Sequence, residues 1–161
     1  MFNLLLRRPA RSAFLAALLS ASISSPGFAQ SLPAAQAYAA EAYQSDLQQF
    51  KDFSAAHSPA VAALFSQIDA DAEHAVTEAQ FANMQLQLED MAAAVQKLAL
   101  RSPEALRVQA ELLTLMDFFA RYLTALKTSD IGTMQQLDAE KALLMQKLND
   151  AKAQLFAQAA Q

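Results

Sequence analysis

The chain has 161 residues, 54% apolar and 17% charged, with a formal net charge of −4, two Gly, five Pro, no Cys and no Trp. That length fits one domain, and the balance of apolar to charged residues excludes a disordered chain. The missing Cys excludes disulfides, Cys-ligated zinc or iron–sulfur centres, c-type haem attachment and a cysteine-linked lipid anchor, while the scarcity of Gly argues against phosphate-cradling loops and turn-rich β-sandwiches.

The first segment reads as an export signal. Arg7, Arg8 and Arg11 form a positive start, Ala13 to Ile23 is a short apolar run, and Ser24, Ser25, Pro26 and Gly27 break it. Gly27-Phe28-Ala29 puts small residues at the two positions that signal peptidase reads, so cleavage is expected after Ala29. The run is short of the about 20 apolar residues needed to span a bilayer. Residues 1–29 are thus expected to be a signal peptide and 30–161 a single helical domain in the periplasm or secreted, with no transmembrane anchor after cleavage. The remaining chain carries 9 Lys and Arg against 16 Asp and Glu, a formal −7. Its charge is uneven: Glu41 to Asp90 holds nine acids and one base, whereas Lys97 to Lys152 holds eight bases and seven acids. A nucleic-acid partner is not expected, because phosphate binding needs a basic face.

The prolines beyond the signal sit where helices can start. Pro33 can open the first helix, and Ser58-Pro59 and Ser102-Pro103 each set a capping hydroxyl before a Pro at the first helical position. Thr77 with Gln80, and Thr133 with Gln136, have capping-box spacing. Gly132 lies in Thr128-Ser129-Asp130-Ile131-Gly132-Thr133, read as the turn before the last helix. The first helix is expected over about Ala34 to Ala56, presenting Tyr43, Leu47, Phe50 and Phe53, with His57 at its end as a cation complementing the helix dipole. A second segment presents Val61, Leu64, Phe65, Ile68 and Ala72. A third presents Phe81, Met84, Leu88, Met91, Val95 and Leu98. The third stripe does not continue the register of the second, so a bend or break is expected between Asp69 and Thr77; one long helix from Pro59 to Ala99 is the alternative.

The fourth helix, about Pro103 to Lys127, is the most apolar. Leu112, Leu113, Leu115, Met116, Phe118, Phe119, Tyr122, Leu123 and Leu126 cover most of its circumference, leaving one polar stripe of Glu111, Thr114, Asp117, Arg121 and Thr124. Asp117 and Arg121 are spaced to pair. Such a helix is either central in its bundle or partly covered by a second chain. The last helix carries Met134, Leu137, Leu144, Leu148, Ala151 and Leu155 in heptad positions, interrupted by Lys141, and the Ala/Gln-rich tail after Phe156 is expected to fray. The expected fold is all-α, an up-down antiparallel bundle of four to five helices.

The segment Asp69-Ala-Asp71-Ala-Glu73-His74-Ala-Val76-Thr77-Glu78-Ala-Gln80-Phe81 concentrates the chain's candidate chemistry. Oxygen-bearing side chains at alternate positions, then a β-branched apolar residue, then a hydroxyl that starts a helix: the pattern resembles an EF-hand calcium loop. The resemblance covers about Val61 to Met84. It implies a helix-loop-helix in which Asp69, Asp71, Glu73, Thr77 and Gln80 are the metal-ligating side chains, Ala75 offers its carbonyl, Val76 takes the apolar eighth position, and calcium is the cofactor. Two positions depart from that family: His74 stands where it has Gly, and Gln80 where it has a bidentate Glu. A partner EF-hand is not visible in the sequence. The same acids also suit a solvated bend, with Thr77 a plain cap.

Other constellations are incomplete. Asp71, His74 and Glu78 share one face if the segment stays helical, but a di-iron bundle needs two Glu-x-x-His units and more carboxylates. The Met residues sit at core spacing rather than as haem ligands. No Gly-x-Ser-x-Gly occurs, and no His-acid pair accompanies a nucleophile, so no enzyme is expected. Ser102 to Leu137 resembles the C-terminal helical hairpin of type III secretion inner-rod proteins, which implies a self-assembling subunit; the export signal runs against it. The expectation from sequence is an exported helical binding protein, with weak calcium modulation at the acidic bend and a protein partner or second copy meeting the Pro103–Lys127 helix. The alternative is a structural subunit of a secretion or envelope assembly.

Overall fold

The chain divides between Ser31 and Leu32 into two units. The computed structural model describes residues 34–71 and 77–160, without the side chains of residues 34–37, 61 and 65–71, and all of these belong to the second unit. The export signal, Pro33, Glu73 and His74 lie outside the described residues. Among the described residues there are four helices and no strand: α1 (Ala34–Asp71), α2 (Glu78–Gln96), α3 (Pro103–Lys127) and α4 (Ile131–Ala159).

Helix α1 differs from the expected pair of segments. It runs for 38 residues with Pro59 inside it, about 57 Å at 1.5 Å per residue. Ser58 does not cap a new helix; its hydroxyl donates to the Ser54 carbonyl at 2.5 Å. His57 is accordingly mid-helix, its ring 4.6 Å from that of Phe53. The physical reason is that the apolar register never changes at Pro59. Leu47, Phe50, Ser54, His57, Val61, Leu64 and Ile68 follow alternating steps of three and four without interruption, and Leu47 and Leu64 on that line are both buried. Pro59 itself is exposed. It removes one internal hydrogen bond from α1, a loss of about 3 kcal/mol in a helix interior, yet the helical backbone continues through it to Asp71, with Leu47 before it and Leu64 after it both buried.

Helix α2 begins as its sequence dictates. Thr77 is extended (φ −70°, ψ 156°), so the alternative of one helix from Pro59 to Ala99 is excluded. The Thr77 hydroxyl accepts from the Gln80 amide at 3.3 Å, and the Gln80 side-chain oxygen accepts from the Thr77 amide at 2.9 Å, completing a capping box. Ser102 caps α3, accepting from the Ala105 amide at 3.3 Å, with Pro103 in the first turn. The α3–α4 turn departs from expectation. Asp130, not Thr133, caps α4, and Gly132 is inside the helix. The left-handed residue is Ser129, at φ 53°. The Asp130 amide donates to the Ala125 carbonyl at 2.9 Å and the Ser129 amide to that of Leu126 at 3.2 Å, the two bonds of a Schellman motif built on serine. The asparagine-like role of Asp130, whose short carboxylate reaches the Thr133 amide, outcompetes the threonine three residues on. Helix α4 continues through the tail expected to fray, to Ala159.

The helices alternate in direction. Arg107 meets Gln154 and Arg121 meets Glu140, so moving forward along α3 moves back along α4 by the same amount. Lys127 meets Glu78, and Gln109 meets the Val95 carbonyl, giving the same relation between α3 and α2. Near its start, α1 bonds to the α2–α3 connection and to the last residue of α4. Helix α3 packs most extensively on α4, then on α2, while α1 lies across from α3 and touches α2 and α4. The core is the set of facing stripes: Met84, Leu88, Met91 and Val95; Leu112, Leu115, Phe118, Phe119 and Leu123; and Leu137, Leu144, Leu148, Ala151 and Leu155. Helix α3 also buries Ala105, Val108 and Ala125, so most of its broad apolar surface is covered by its own chain, with Leu113, Met116, Tyr122 and Leu126 half-buried at its margins. No described helix is long and apolar enough to cross a membrane.

Ser129→Gly removes a side chain from a left-handed position, and Gly132→Ala replaces a helical glycine whose added Cβ meets only an ordinary 3.5 Å contact with the Asp130 carboxylate. Each substitution is expected to raise the free energy of unfolding by about 1 kcal/mol in urea titration. Leu148→Ala, at a fully buried position, is expected to lower it by about 2–5 kcal/mol.

Candidate functional site

The acidic junction between α1 and α2 is reached from two sides. Helical backbone runs through Asp69 and Asp71, so the expected bend does not begin at Asp69. Positions two apart in an α-helix lie about 200° apart around its axis, and alternate-residue ligation of one ion requires Asp71 to leave the helix. The last turn of α1 has no basic residue. Its acids therefore stand at the negative end of the helix dipole. On the far side, Thr77 and Gln80 are joined to each other: besides the two capping bonds, the Thr77 hydroxyl donates to the Gln80 side-chain oxygen at 2.6 Å. Glu78 is drawn to Lys127 of α3 at 2.7 Å, and that ammonium also lies 4.4 Å from the centre of the Phe81 ring. Glu73 lies outside the described residues. Among the described residues, no three or more Asp, Glu or His converge as a metal-binding group.

A second constellation, not foreseen from sequence, sits at the opposite end of α2. Asp46 of α1 is 0% exposed. Its carboxylate accepts from the Ser102 amide at 2.8 Å, the Ser102 hydroxyl at 2.6 Å and the Arg101 amide at 3.1 Å. The same hydroxyl caps α3, so one buried carboxylate orients the cap of another helix. One turn on, Gln49 grips Ala99 twice, accepting from its amide at 2.8 Å and donating to its carbonyl at 3.1 Å. One turn back, the Tyr43 hydroxyl donates to Glu104 at 2.7 Å. That hydrogen bond to a carboxylate raises the Tyr43 pKa above its ordinary value of 10.0, with partial burial adding to it. Gln44 donates to the Ala159 carbonyl at 3.0 Å, satisfying the end of α4. Tyr43, Asp46 and Gln49 are three apart and form one edge of α1. The signal in the sequence was an acid on an apolar stripe: Asp46 stands between Tyr43, Leu47 and Phe50 at core spacing.

The exposed face of α3 carries the predicted Asp117–Arg121 pair, at 3.1 Å. Arg121 reaches further, holding Glu140 of α4 with two bonds of 2.6 and 3.1 Å. These bonds push the Glu140 carboxyl below its ordinary value of 4.5. Asp130 is held below its ordinary value of 3.8 by the Thr133 amide and hydroxyl. Tyr43, Asp46, Gln49, Arg121 and Lys127 thus join α1 or α3 to other elements, and Thr77, Ser102 and Asp130 close helix ends.

No protein-family model, curated protein or solved structure matches this chain.

Asp46→Ala leaves the Arg101 and Ser102 amides without their acceptor and is expected to cost about 2–4 kcal/mol of stability, measured by urea unfolding. A carboxyl with a depressed folded pKa stabilises the fold fully above its unfolded pKa, and that contribution fades as pH falls through the folded value. For Glu140 it is therefore present above pH 4.5 and lost below. Glu140→Gln is expected to flatten this part of the acid limb in thermal melts across pH and to lower the neutral-pH melt by the same small amount, since the pair is exposed.

Proposed function

We propose that this chain is an exported helical bundle that acts by binding rather than by catalysis, with a divalent cation, calcium, modulating it weakly at the acidic end of α1. Export rests on the Arg-rich start, short apolar run and Gly27-Phe28-Ala29 site. The observation that carries the cation reading is the charge at the α1 terminus: Asp69 and Asp71 stand in a last turn that has no base, where the dipole already disfavours anions. A cation relieves that repulsion, and the extracytoplasmic space supplies calcium. Asp69, Asp71, Glu73, Thr77 and Gln80 remain the proposed ligand set, with Asp71 leaving the helix and the Thr77–Gln80 bonds giving way to bind. The partner surface is the exposed margin of α3 that includes Leu106, since the broad apolar side of that helix is already covered. The second reading is a self-assembling subunit, favoured by the exposed Leu106, Ile131 and Leu143 on α3 and α4.

Titration calorimetry with calcium, comparing the wild type with Asp69→Ala/Asp71→Ala, is expected to give weak binding heat in the wild type and none in the variant. An absence of heat in both removes the cation role. Light scattering across concentration is expected to give a fixed monomer mass; growth of mass with concentration favours the subunit reading. Elemental analysis of protein purified without chelator is expected to show no stoichiometric transition metal, and a bound one would overturn the non-catalytic reading.

A further inference from the structure

We propose that α1 opens as a unit from a core made of α2, α3 and α4, and that the hydrogen-bonded latch at Tyr43, Asp46 and Gln49 sets how often it does so. The first argument is the distribution of burial. Helices α2, α3 and α4 bury four, eight and five residues. The described part of α1, the longest helix, buries Ala42, Asp46, Leu47 and Leu64. Between Leu47 and Leu64, every described side chain is half-buried or exposed. Among the described side chains, α1 therefore contributes fewer buried apolar residues for its length than α3 or α4, whose facing stripes form the centre of the core.

The second argument is the nature of what holds α1. Its anchorage at the α2–α3 connection is polar and lies within two turns of helix. Asp46 bonds to Arg101 and Ser102, Gln49 to Ala99, and Tyr43 to Glu104. Water replaces such bonds on opening, so they set a threshold but contribute less than equal area of apolar contact. The third argument lies in the middle of α1. Pro59 removes an internal hydrogen bond there. The Ser54 hydroxyl oxygen is enclosed with no hydrogen-bond partner, a penalty that opening relieves. The latch end is secured by these bonds, whereas between Leu47 and Leu64 no described side chain of α1 is fully buried. This inference stands apart from cation binding, which concerns the opposite end of α1.

Native-state hydrogen exchange on the full chain, read by amide across a denaturant series, tests it. Amides of α1 are expected to exchange through an opening of lower free energy than those of α2–α4. Asp46→Asn is expected to speed α1 exchange by about 10-fold or more while changing α2–α4 by less than about 3-fold. Gln49→Ala, at a site outside the buried core, should show the same selectivity with a smaller effect and serves if the Asp46 variant does not fold. Leu148→Ala should speed exchange in every helix. A single common opening for all four helices, or a latch variant that speeds every helix alike, overturns the proposal.

Discussion

The arrangement of this bundle depends on one buried carboxylate. Removing a charged group from water is costly unless donors replace the water it loses. Asp46 has three such donors, all from the α2–α3 connection, and one of them is the hydroxyl that caps α3. A single side chain on α1 thereby fixes the connection, the start of α3 and the depth at which α1 docks. Apolar contact alone tolerates sliding of one helix along another. A carboxylate that must meet two particular amides does not, so the latch gives α1 a defined register against helices it otherwise touches lightly.

The same economy of polar groups recurs at the other helix ends. The capping box of Thr77 and Gln80 opens α2, Asp130 opens α4, and a Schellman turn on Ser129 closes α3. Gln44 closes α4 from a distant helix. On the surface, Arg121 bridges to Glu140 and Lys127 to Glu78, tying the central helix to both neighbours. Such exposed pairs add little stability singly, but they agree with the antiparallel register that the core already imposes.

Much of this is legible in the sequence. The apolar stripes of α2, α3 and α4 appear in the core at the residues that their spacing marks, and the caps at Thr77 and Ser102 stand where expected. The polar stripe of α3 and its Asp117–Arg121 pair are likewise in place. Among the departures from expectation, those at Pro59 and Gly132 have local reasons. Proline favours first turns, so Ser58-Pro59 reads as a helix start, yet the helix runs through it, with side chains at the same spacing on either side and Leu47 and Leu64 both buried. The segment Thr128–Thr133 does hold the turn, but Gly132 falls inside α4: Ser129 carries the left-handed conformation, and Asp130 reaches the Thr133 amide and fixes the helix start ahead of the glycine.

The residues by themselves determined the helical class, the stripes of α2, α3 and α4 and the acidic character of the α1–α2 junction, because periodicity and charge are local properties of a chain. Tertiary structure alone decided that the apolar girth of α3 is covered by its own neighbours, and that Asp46 is a buried acceptor rather than one more surface acid. Both depend on which distant segments come together: a carboxylate is solvated or enclosed according to whether the Arg101–Ser102 backbone, more than fifty residues away in sequence, arrives beside it.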